Sequence, residues 1–215
     1  MVSGSPEAPA RPLSGGIELA GPDGPTFRII VPARPSPPIQ YAAEELRHFI
    51  ARMTGVRLEI LPDSTPVTPH EILVGQSSRL DALSIRLDQD SLGAEGYVLR
   101  TINGRLVIAG GEPRGTLYGV YGFLEDHLGC RWFTPSLERI PKKDRLVVPP
   151  LDERRAPVFG YRETYTWESY DGNWMARNRL NGAGGRGRLL ERQGIRPPVP
   201  ELGDRHGGGI RFGFG

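Results

Sequence analysis

The residues best suited to chemistry cluster after residue 160 of the 215-residue chain. Arg162, Glu163, Trp167, Glu168, Tyr170, Asp171 and Trp174 all fall within YRETYTWESYDGNW. Indole and phenol rings stack on the C–H-rich faces of sugars. An arginine with carboxylates hydrogen-bonds their hydroxyls. A carbohydrate-contacting segment therefore fits this composition, with Arg162, Glu163 and Trp167 as candidate substrate-binding residues. A polar, aromatic surface loop fits it equally well.

Other motifs carry less. GGEPRG (Gly110 to Gly115) joins a strand to a helix, where backbone amides can hold phosphate. It lacks the Lys-Ser/Thr of a P-loop and the spacing of a dinucleotide site, so a tight structural turn is the favoured reading. The single cysteine, Cys130, excludes an internal disulfide and reads as a buried structural thiol. His48, His70, His127 and His206 have no HxxxH or HxH spacing, so no metal site and no cofactor is expected. His48 and His127 read as solvent-facing or as partners of a helix C-terminus.

The elements that position these residues follow from periodicity and turn chemistry. Residues 1–15 are Pro/Ser/Gly/Ala-rich and read as disordered. Ile17–Leu19 and Phe27–Val31 are β-prone, and GPDGP (Gly21 to Pro25) between them predicts a hairpin. Pro37-Pro38 introduces a helix over Ile39–Thr54, with Ala42, Leu46, Phe49, Ile50 and Met53 on one face and Gly55 ending it. Val56–Leu61 and Glu71–Val74 read as strands, whereas 76–95 is weakly patterned. Asn103-Gly104 predicts a type I′ hairpin between Gly96–Ile102 and Arg105–Ala109. Leu117, Val120, Tyr121, Leu124 and Leu128 predict an amphipathic helix, with Gly119 and Gly122 facing a sheet or a neighbouring helix and Gly129 as its left-handed cap. Trp132 and Phe133 read as core and interdomain packing. Leu146–Val148 reads as closing the sheet. PPLDERRAP (Pro149 to Pro157) looks like a linker, Val158–Arg162 like a strand, and Trp174–Leu180 like a helix ended by Asn181-Gly182. The fold class expected is α+β: a mostly antiparallel or mixed sheet with two helices packed on one face, followed by an incomplete start of a (β/α)8 barrel.

Charge is nearly balanced, 27 basic against 25 acidic residues, which excludes nucleic acid and membrane surfaces as default partners. All basic residues after Pro150 are arginine. The N-terminus lacks an apolar targeting core, so the cytoplasm is the default expectation, with export if the true start lies upstream.

YAAEELRHFIARMTG (Tyr41 to Gly55), ILVG (Ile72 to Gly75) and GYVLRTINGRLVIAGGEPRGTLYGVYGFLEDHLGCRWFTP (Gly96 to Pro135) resemble the small domain that precedes the catalytic barrel in α-glucuronidases and β-N-acetylhexosaminidase-type glycoside hydrolases. The resemblance is strongest to uncharacterised bacterial proteins with an α-glucuronidase-like N-terminal domain. It covers residues 17–150, and FGYRETYTWESYDGNWMARNRLNG resembles the first strand and helix of the barrel that follows. It implies an accessory domain over 16–150 with no established catalytic role, a linker over 151–157 and a barrel start over 158–215. It implies carbohydrate as the partner of the barrel and intramolecular packing of the domain on it. In hexosaminidase-like barrels a first-strand arginine contacts substrate hydroxyls. Arg162 matches that position, and Arg162-Glu163 occupies the same place in the uncharacterised relatives. A barrel needs about 250 residues, yet 58 follow Pro157. The chain therefore reads as a truncated piece without glycosidase activity by itself. A stand-alone carbohydrate-binding module and an inactive structural remnant are the competing readings.

Overall fold

The computed structural model describes residues 16–22, 27–86, 92–182 and Gln193. The expected disorder of 1–15, the irregular stretch beyond Gly182, His206 and most of the GPDGP turn lie outside them. The centre is a six-stranded mixed sheet in the order β10-β5-β6-β4-β2-β3. Its strands are β2 (Arg28–Val31), β3 (Glu59–Pro62), β4 (Glu71–Val74), β5 (Tyr97–Ile102), β6 (Arg105–Gly110) and β10 (Asp152–Arg155). β2 runs parallel to β3 and β4, and β4 runs parallel to β6. β5 and β10 add antiparallel pairings at one edge.

Side chains alternate across this sheet. Ile29, Val31, Ile72, Val74, Leu106 and Ile108 enter the larger core, and Ile30, Leu73, Val107 and Ala109 enter the smaller one. The larger core lies under α1 (Pro37–Thr54) and α3 (Gly115–Gly122), the two helices expected on one face. The smaller core is covered by α2 (Ser78–Ala82) through Leu80. α2 arises in the weakly patterned 76–95 stretch, where five residues are too few to show a period.

α1 begins at Pro37, two residues before the expected start, and Gly55 ends it at φ +80° with its N–H donating to Ala51 O. The Asn103-Gly104 hairpin is present, with φ of 50° and 76°. The predicted hairpin of the first two strands is not. β1 (Ile17–Ala20) pairs instead with β9 (Leu146–Val148) in a separate ribbon, so β9 does not close the main sheet. A turn motif reports that the chain bends, not which strand it will meet. Ile29, Ile30 and Val31 are all buried, which suits a central strand flanked by parallel partners.

α3 is buried on every side rather than amphipathic. The sheet lies against one flank and α1 against another. Further along the chain, Met175 and Ala176 of α4 (Gly172–Arg177) join the same core. A Cβ on Gly119 would stand 3.1 Å from Ile108 Cγ2 and from Tyr97 Cβ, so the glycine face of α3 does lie on β5 and β6. The helix continues as one π turn, Phe123–His127, and Gly129 follows at φ +82°. Cys130 and Trp132 are buried, whereas Phe133 is exposed. Arg131–Trp132 (β7) pairs with Glu138–Arg139 (β8) in a short ribbon.

β10 lies inside the stretch read as a linker. Asp152–Arg155 is an exposed edge strand, and its charges make cross-strand pairs such as Arg100–Asp152 at 2.7 Å. With no buried face it carries no apolar alternation, and the charges guard the edge. Val158–Arg162, expected as a strand, has no ladder partner among the described residues.

Candidate functional site

The segment after β10 does not hang free. It folds back as a short 3-10 turn (Trp167–Tyr170) and α4, whose N-terminus is capped by Asp171 Oδ1 accepting from the Trp174 N–H at 2.7 Å. α4 starts and ends earlier than the predicted Trp174–Leu180 helix, and Arg179 then adopts φ +56°. Three carboxylates of the preceding domain grip three arginines of this segment: Glu45 holds Arg177, Glu125 holds Arg179 and Glu95 holds Arg162. The Trp174 indole N–H donates to Trp132 O, and the Tyr118 hydroxyl donates to Leu180 O.

Glu95 is the centre of this junction. It sits in the turn before β5, a turn locked by backbone bonds. Arg114 and Gly115 donate their N–H groups to Ala94 O, each at 3.1 Å, and the Gly111 N–H donates to Gly96 O at 3.0 Å. A Cβ on Gly111 would overlap Gly93 O at 1.6 Å, so the backbones touch directly. These bonds occupy amides that a phosphate would need, and GGEPRG is the structural turn expected. The Glu95 side chain then accepts from Arg114 Nε at 2.7 Å, Asn181 Nδ2 at 2.9 Å and Arg162 Nη2 at 2.5 Å. Burial pushes the carboxyl up. Hydrogen bonds from Asn181 and Arg162 and the charges of Arg114 and Arg162 outweigh this, leaving it below its ordinary value and ionised near neutrality.

Arg162 is consumed by this arrangement. Nε donates to Arg179 O at 2.9 Å, Nη1 to Phe159 O at 2.6 Å and Nη2 to Glu95, while its backbone N–H donates to Asn181 Oδ1. Glu163 accepts from the Tyr161 hydroxyl and packs over Gly182, where a Cβ would come within 2.6 Å of it. Trp167 is 85% exposed and stacks on Tyr170 with centroids 5.6 Å apart. No bond, ion pair or ring contact joins Arg162, Glu163 and Trp167 to one another among the described residues. Phe159, Tyr161, Tyr165 and Trp167 are all more than half exposed.

Sequence reasoning missed Glu45, Glu95 and Glu125 as partners. The one available signal was the exclusive use of arginine after Pro150, because arginine suits forked pairing with carboxylates. Cys130 is buried, with a thiol pushed up to about 11 by burial and the nearby Glu138. That is unsuited to nucleophilic work. His48 is exposed, and His127, at the end of the π turn, lies 3.2 Å from Glu153. Among the described residues no cluster of His, Cys, Asp and Glu is placed to hold a metal ion, and no helix is long and apolar enough to cross a membrane.

Residues 24–123 match the family described as "Glycosyl hydrolase family 67 N-terminus". No curated protein matches the chain. Among solved structures, the chain is similar to a family GH115 4-O-methyl-α-glucuronidase, BtGH115A, with specificity for decorated arabinogalactans. The TM-score is 0.55 at 15% identity, over 83% of this chain and 29% of that one. It is also similar to a β-hexosaminidase mutant of Streptomyces plicatus in complex with GlcNAc, at a TM-score of 0.50 and 15% identity, over 81% of this chain and 32% of that one. The chain thus spans about a third of the length of each, and at this identity the likeness is one of fold. With five of the six strands of the sheet, its two covering helices and the glycine-rich turn inside the matched residues, the chain carries an α-glucuronidase-type, glycoside-hydrolase-associated N-terminal domain over residues 24–123.

Proposed function

We propose that this chain is the non-catalytic accessory part of a glycoside-hydrolase-like protein acting on carbohydrate, and that it holds the beginning of a catalytic barrel in place. One observation carries the reading. The segment 158–182 is clamped by Glu45, Glu95 and Glu125, yet presents Phe159, Tyr161, Tyr165 and Trp167 outward. A segment anchored on one side and aromatic on the other is what a buttress for a further layer requires. The match to an α-glucuronidase-type N-terminal domain supports the same assignment. Incubation with aryl glucuronides and aryl N-acetylhexosaminides should give no turnover above a heat-denatured control. Steady turnover would overturn the non-catalytic role.

A second reading, a carbohydrate-binding surface, is favoured by the exposed Trp167–Tyr170 stack. Of the three expected substrate contacts, Arg162 has each guanidinium nitrogen already committed. Sugar contact then falls mainly to Trp167, with Glu163 four residues before it. Oligosaccharides should quench tryptophan fluorescence in the wild type and much less in Trp167→Ala. Equal quenching in both would remove this reading.

A further inference from the structure

We propose that the half-open cavity between β5, α3 and the chain after β10 is a binding site for a small organic carboxylate. The cavity measures about 300 Å³, within the range of small-molecule sites. Its walls are formed in part by Arg155, Arg162, Arg179, Tyr97, Tyr118 and Pro157. Glu95 also reaches the wall, but it already accepts from Arg114, Arg162 and Asn181. The carboxylates that offset the other two arginines are Asp126 and Glu153 for Arg155, and Glu125 for Arg179. None of these three lines the cavity. The inner surface is therefore biased toward positive charge.

One polar group of this wall is unsatisfied among the described residues: Arg179 Nη1 is buried and unpartnered. Tyr97 beside it is 6% exposed. Buried polar groups without partners are rare, and one on a wall of arginines points to a missing occupant. Guanidinium groups take carboxylate oxygens in charge-assisted pairs, and a tyrosine hydroxyl can donate a further bond. The two aromatic rings and Pro157 suit an apolar or ring-shaped body rather than a bare inorganic anion. The site is separate from the exposed Trp167 surface.

The test is calorimetric titration of the purified chain with sodium benzoate, its neutral counterpart benzamide, and inorganic phosphate. The wild type should bind benzoate saturably, about tenfold or more tighter than benzamide. Tyr97→Phe and Arg155→Gln should each weaken benzoate several-fold, with folding checked by circular dichroism. Arg155 is 46% exposed in its side chain, so its variant decides the matter if Tyr97→Phe unfolds. Absence of saturable benzoate binding would overturn the proposal. So would equal affinity for benzamide or phosphate, or benzoate binding unchanged in both variants.

Discussion

Glu95 is a single carboxylate surrounded by two guanidinium groups and an amide, with its side chain only 7% exposed. Removing one partner of such a buried pair leaves charge uncompensated and costs about 3–5 kcal/mol. Glu95→Gln keeps the shape and removes the charge, so it should lower stability by an amount toward the lower end of that range in urea unfolding. The pH dependence has a definite sign. The folded carboxyl lies below its ordinary value of 4.5. Its contribution is therefore complete above that value and is lost as pH falls through the lowered one. The stability gap between wild type and Glu95→Gln should be constant around neutrality and shrink progressively below about pH 4.5. A gap independent of pH down to 3 would mean that the charge of Glu95 does not matter. At this scale the sequence was least legible. Arg162 and Trp167 stood out by type, but Glu95 lies 67 residues from Arg162, and no local pattern links them. Arg162, the residue type that suggested sugar contact, pairs with Glu95 in this junction.

At the scale of elements, legibility follows locality. α1 with its Gly55 cap and the Asn103-Gly104 turn each rest on contacts within a few residues, and each is readable from them. The inward glycines of α3 meet Ile108 and Tyr97, and their small size marks that close approach. β1 chose β9 across more than a hundred residues, which a short apolar run cannot announce. β10 was invisible because an exposed, charged edge strand resembles a linker. α3 misled as an amphipathic helix because α4, which helps to cover it, lies beyond the supposed domain boundary. The glycine contacts give the sharpest prediction here. Leucine at Gly119 would drive a branched side chain into Ile108 and Tyr97, where even a Cβ sits at 3.1 Å. Gly119→Leu should not fold, whereas Gly119→Ala should fold with a lower melting temperature. A Leu variant with an intact near-ultraviolet spectrum and wild-type melting would show that α3 does not lie on the sheet this way.

For the whole molecule, the composition change near residue 150 marks a real shift in sequence but not a break in packing. β10 completes the sheet edge, Leu151, Met175 and Ala176 enter the main core, and four ion pairs tie 158–182 to the preceding domain. Residue-resolved hydrogen exchange tests most directly whether this segment is docked through Glu95. The amides of Asn181 and Gly182, which donate to Arg162 O, should be protected in the wild type. They should exchange much faster in Glu95→Gln, while Leu73 and Val107 at the sheet centre keep their protection. Rapid exchange of Asn181 and Gly182 in the wild type, or unchanged protection in Glu95→Gln, would contradict the account.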